Sequence, residues 1–197
     1  ANSILFDLDS TVFNMDSTLV QRVSQKYKDL IVLESVPLIK HMLHRNGLMA
    51  MHFTTDVVFQ TRLFADQLIY PNMFKLVQKL IDDGFDVWFV SAPQWIYHRQ
   101  CSIQEKQAQV QRYFGTQISQ KMIFSRRKFE VDGRYLVDDN TNHPEEENLA
   151  KWKAVLMRQP HNYGIYCSRE IDPINCLETF FKIFQTDQTP SQEENLE

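Results

Sequence analysis

The apolar and polar positions along the chain alternate between two periods. Ile4-Leu5-Phe6, Phe85 to Val90, Met122-Ile123-Phe124, Tyr135-Leu136-Val137 and Tyr163 to Cys167 are short apolar runs bounded by polar residues, the pattern of buried strands. Between them, apolar positions recur at helical spacing. Leu19, Val20, Val23 and Tyr27 mark one helix. Leu38 to Leu43, closed by Asn46-Gly47, marks a second. Thr54 or Thr55 would cap a third reaching about Tyr70, with Val57, Val58, Leu63, Phe64 and Leu68 on its apolar face. Pro71 suits the first turn of a helix over 73–82, which Asp83-Gly84 stops. Further helices are expected over 103–114, over 145–157 with acids in its first turn, and over 173–184.

Strands alternating with helices predict an α/β fold, a parallel Rossmann-like sheet with flanking helices and right-handed crossovers. Residues 16–70 contain no convincing strand and are too long for a simple crossover. They are expected to form a small helical cap inserted after the first strand, with 1–15 and 71–185 as the core. The polar residues 186–197 are expected to be a disordered tail.

Several of these strands end in chemistry-bearing residues. The first ends in Asp7-Leu8-Asp9-Ser10-Thr11, the second in Ser91-Ala92-Pro93, a third is followed by Arg126-Arg127-Lys128, and a fourth ends in Asp138-Asp139. In a parallel sheet those ends converge on one edge, where such folds keep their ligands. Alternation would put Asp7 and Asp9 on one side of the chain. Carboxylates so close repel unless a cation lies between them or one keeps a proton, and Mg²⁺ prefers carboxylate oxygen. Taken singly, each has a plainer reading: Asp9 or Ser10 as a helix cap, Ser91 as a turn former, Lys128 as part of a solvated basic run. Their convergence favours phosphoryl transfer, with a carboxylate nucleophile, an acid/base, a metal, and a hydroxyl and an ammonium on the phosphate oxygens.

Length, composition and charge narrow the class. The 197 residues, 43% hydrophobic, suffice for one domain with an insertion, and a net charge of −4 argues against a polynucleotide partner. Cys101, Cys167 and Cys176 have no metal-finger spacing and are expected to be reduced thiols. With no leader before the first strand and no run near the roughly 20 apolar residues of a membrane span, the expectation is a cytoplasmic chain without a membrane partner.

The arrangement resembles the haloacid dehalogenase-like phosphatases, whose first motif D-x-D-x-T/V is met by Asp7 to Thr11. Within them it is most similar to the 5'(3')-deoxyribonucleotidase family. Glu105-Lys106, Val110 and Tyr113-Phe114-Gly115 match that family's E-K-x-x-x-V-x-x-Y-F-G helix. Arg126-Arg127-Lys128 and Leu136-Val137-Asp138-Asp139 match its R-D-K and L-I-D-D at the same spacing, and Trp152 corresponds to a later tryptophan. The resemblance implies that Asp7 is the nucleophile and Asp9 the general acid/base. Ser91 and Lys128 would serve the phosphate. Asp7, Asp9 (through its main-chain carbonyl), Asp138 and Asp139 would hold Mg²⁺. Phe13, Ala92 and Trp95 are added as substrate-binding candidates, Phe13 with core packing as its alternative. The chain departs from the family at Ser10, where Gly is usual, and at Arg127, which replaces an acid and is expected to make the site more cationic. The expected function is Mg²⁺-dependent hydrolysis of nucleoside monophosphates, deoxyribonucleotides foremost, with a small-molecule nucleotide and a second copy in a homodimer as partners. The alternatives are a phosphatase of this fold for another small phosphomonoester, and a non-catalytic nucleotide-binding protein.

Overall fold

A computed structural model describes residues 3–26, 62–93, 99–140 and 147–188. The expected helix over 38–43, the first part of that over 54–70, Trp95 and most of the expected tail lie outside these residues. Six strands form one parallel sheet in the order β5-β4-β1-β6-β7-β8. They are β1 (Ser3–Phe6), β4 (Asp86–Ser91), β5 (Met122–Phe124), β6 (Tyr135–Asp138), β7 (Lys153–Met157) and β8 (Glu170–Ile171). β1 is central, with Leu5 opposite Trp88 of β4 and Leu136 of β6. The apolar runs read as strands fall here because a parallel strand is covered on both faces.

Alternation divides the strands between two packed layers. Ile4, Phe6, Val87, Phe89, Tyr135 and Val137 share a cluster with Met73, Leu76 and Leu80 of α2 (Pro71–Asp82) and Phe180 of α5 (Cys176–Thr186). Leu5, Val90 and Leu136 face the other way, onto Trp152 and Phe129. A longer helix, α3 (Arg99–Phe114), and a single turn, α4 (Thr116–Ser119), precede β5, and α1 (Met15–Lys26) follows the first loop.

Three expectations are corrected. Glu145–Met157 is not a helix over its described part: residues 147–152 are turn and bend, and 153–157 form β7 beside β6. Tyr163–Cys167 is not a strand; Tyr163 and Tyr166 are exposed, Gly164 takes a φ of 89°, and the edge strand comes later as β8. The helix expected to reach Tyr70 does not extend over 62–70. Residues 62–66 are turns and a bend, and β3 (Leu68–Ile69) pairs antiparallel with β2 (Phe13–Asn14). Leu68, expected on an apolar face, is exposed.

Candidate active site

β1 ends at Phe6, but its pairing continues one residue further, because the Asp7 N–H donates to Val137 O at 2.9 Å. This sets Asp7 beside the carboxyl end of β6. The chain then winds around one carbonyl, Leu8 O, which accepts from the N–H groups of Thr11, Val12 and Phe13. The tight loop requires a left-handed residue, and Ser10 supplies it at φ 61°. That conformation disfavours side chains with a Cβ, which explains the family's glycine. Asp9 therefore lies in a turn, not on a strand, yet it reaches the same cleft as Asp7.

The cleft measures about 310 Å³, and Asp7, Asp9, Ser91, Lys128, Asp138 and Asp139 all line it. The Lys128 ammonium lies 2.5 Å from both Asp7 Oδ1 and Asp138 Oδ2, with all three side chains under one-tenth exposed. Asp138 Oδ1 accepts the Asn140 N–H, and Thr11 Oγ1 accepts the Asp139 N–H and donates to Asp139 Oδ1. Asp7, Asp138 and Asp139 can each offer an oxygen within 4.8 Å of the others. The Lys128 ammonium is shared by two carboxylates, and a third, Asp139, lies close beside them. Burial, and then the neighbouring Asp138, Asp9 and Asp139, push the Asp7 carboxyl up from 3.8 to about 7 despite Lys128. Burial alone would lower Lys128, but the adjoining Asp138 and Asp7 carboxylates raise it above the usual lysine range. The donor set of hard oxygens with excess negative charge fits a divalent cation such as Mg²⁺.

Sequence reasoning missed two residues that hold Asp9. Lys106 is buried in α3, and its ammonium donates to Asp9 Oδ2 at 2.5 Å, Ser91 Oγ at 3.0 Å and Ala92 O at 3.0 Å. It lies over the Phe64 ring, 4.7 Å from its centroid. Gln67, also buried, donates through Nε2 to Asp9 Oδ1 at 3.1 Å, while its main-chain carbonyl accepts from Gln109 Nε2. The signal was available: Ser102, Lys106, Gln109 and Val110 share one buried helical face, but polar residues at that spacing read as a solvated face.

The other expectations divide. Ala92 lines the cleft and lends its carbonyl to Lys106. Phe13 is fully buried with its ring 5.6 Å from Tyr113, which accords with core packing and leaves no free face for a base. Arg127 turns away from the cleft: it is exposed, pairs with Glu130 at 2.9 Å and lies over Phe129, so it adds no charge to the site. Arg126, exposed, lines the cleft instead. Trp152 donates its indole N–H to Lys128 O at 3.0 Å and so fixes the backbone that carries the lysine.

No curated protein matches the chain in sequence. Among solved structures, a Thermotoga maritima protein that carries the name β-phosphoglucomutase aligns with a TM-score of 0.62 at 12% identity, covering 92% of this chain and 99% of its own. The HAD-hydrolase YfnB of Bacillus subtilis, bound to magnesium, gives 0.58 at 15% identity over 93% and 98%. A hydrolase from Pseudomonas syringae gives 0.53 at 14% identity over 92% and 98%. At such identities the likeness shows the fold alone, a parallel α/β core of the kind these proteins have. The sequence carries the rest. A model of the family described as "5' nucleotidase, deoxy (Pyrimidine), cytosolic type C protein" matches residues 2–173, a span that takes in every strand-end group of the cleft, and to that 5'-nucleotidase family the chain belongs.

Proposed function

We propose that the chain is a Mg²⁺-dependent 5'-nucleotidase that hydrolyses nucleoside monophosphates, deoxyribonucleotides with pyrimidine bases foremost, through an aspartyl-phosphate on Asp7. The observation that carries this reading is the placement of Asp7. It is a buried carboxylate at the end of the central strand, in contact with one ammonium and facing two further acids. Asp7, Asp138 and Asp139, with the main-chain carbonyl of Asp9, would hold the cation, which supplies positive charge against the repulsion between nucleophile and phosphate. In the first step an Asp7 oxygen bonds to phosphorus as the bond to the leaving oxygen breaks, and Asp9 gives that oxygen its proton. In the second step water attacks phosphorus, Asp9 takes the water's proton, and the bond to Asp7 breaks to release phosphate. Ser91 and Lys128 hold the non-bridging oxygens as charge develops on them. Lys106, reaching both Asp9 and Ser91, keeps the two in register.

The test is phosphate release with Mg²⁺ present. Asp7→Asn keeps the shape and removes the nucleophile, and should lower kcat by at least about a thousandfold. Retained turnover would sink the covalent route. Across a panel of nucleoside monophosphates and sugar phosphates, a sugar phosphate faster than every nucleotide by about tenfold in kcat/KM would overturn the substrate class.

A further inference from the structure

A short turn after β7 belongs to none of the strand-end motifs, yet it holds two of them. Asn162, fully buried, donates through Nδ2 to the main-chain carbonyls of Asp139 and Met157, each at 2.9 Å. Its Oδ1 accepts the Gln159 N–H at 3.0 Å, which closes the turn on itself. Gln159 Nε2 donates to Ser10 O at 2.6 Å and to the Tyr70 hydroxyl at 3.1 Å. Between them, on the single 3₁₀ turn Pro160–Asn162, His161 brings Nε2 to 2.9 Å from Asp139 Oδ2. Asp139 is thus held at its N–H and Oδ1 by Thr11, at its carbonyl by Asn162, and at Oδ2 by His161.

Asp138 and Asp139 are supported differently. One Asp138 oxygen faces the Lys128 ammonium, which offsets its charge locally. The Asp139 oxygens meet a hydroxyl and an imidazole. A carboxylate only accepts, so Nε2 carries the hydrogen of that contact. These donors hold the Asp139 carboxylate in place against Asp7 and Asp138, which repel it. Donors of this kind behind a metal-binding group commonly change metal affinity by tenfold to a hundredfold.

We infer that His161 is a positioning residue, which fixes the Asp139 carboxylate for the divalent cation, with the turn Gln159–Asn162 as its mount. This rests on the reading that Asp7, Asp138 and Asp139 hold Mg²⁺. The experiment is titration of metal-stripped protein with MgCl₂ by calorimetry, beside Mg²⁺ half-saturation of phosphate release. His161→Phe and His161→Asn, neither of which can place a donor at the Nε2 position, should weaken Mg²⁺ about tenfold or more. His161→Gln, whose amide nitrogen reaches about as far as Nε2, should return the affinity to within about threefold of the parent. The thermal midpoint in EDTA separates this from misfolding, and should differ little among the folded variants. If Mg²⁺ binds His161→Phe and His161→Asn as tightly as the parent, the inference is overturned. It is also overturned if His161→Gln loses as much as they do. A parent that binds no Mg²⁺ overturns the cation reading itself, a result that the parent titration alone reveals.

Discussion

Ser10 shows how one residue's backbone carries a site. Its φ of 61° turns the chain between Asp9 and Thr11, and its hydroxyl donates to Asp16 at 3.3 Å. A left-handed conformation costs a residue with a Cβ roughly 1–2 kcal/mol, whereas a part-exposed hydrogen bond stretched to 3.3 Å returns less. Ser10→Gly should therefore stabilise the fold by about 0.5–1 kcal/mol, measured as a higher urea midpoint at unchanged slope. At this scale the sequence was most legible where charge is hard to explain otherwise. Paired aspartates at the ends of apolar runs have few cheap alternatives, so Asp7, Asp9, Asp138 and Asp139 stood out. Lys106 and Gln67 did not, because a long polar side chain on a helix is usually solvated. Only the tertiary fold shows that theirs point inward.

The strands followed by turn residues were legible as elements, and β1, β4, β5 and β6 fall where the apolar runs stand. β7 was misread because a short apolar run after several acids fits a helix as well as a strand. The structure uses the last of those acids otherwise: Glu147 accepts the Ala154 N–H at 3.2 Å and pairs with Arg169, pinning the start of β7 where a helix was expected. The aromatic run at 163–167 was misread for its composition, although aromatic residues there have no partner strand among the described residues. The link from β7 back to the site is Trp152, immediately before the strand, whose indole N–H satisfies Lys128 O. Trp152→Phe leaves that carbonyl without its donor and should cost about 1–3 kcal/mol. A urea titration checks the loss, and phosphate release should fall with it as the Lys128 backbone loosens.

Charge balance is a property of the whole molecule, because two segments far apart in sequence, 7–9 and 138–139, bring their acids to one sheet edge. In the metal-free chain Asp7 holds its proton more tightly folded than unfolded, with a carboxyl at about 7 against 3.8. That group alone makes the folded state less favourable as pH climbs from about 4 towards 7, and its contribution is level above that. A cation must displace the proton below about pH 7, so half-saturating Mg²⁺ should rise several-fold from pH 8 to pH 6. Paired Mg²⁺ titrations of the thermal midpoint at the two pH values check this, and Asp7→Asn should flatten the dependence. The pairing of β2 with β3 bears on how such a molecule can change. Asn14 and Leu68 face each other, so the two ends of the stretch between them meet at one point, like the ends of a hairpin loop. Closing a flexible loop twice as long costs only about 0.6 kcal/mol more. Descent can therefore change the length of that stretch at small cost through its ends, provided that Phe64 and Gln67, which touch Lys106 and Asp9, are kept.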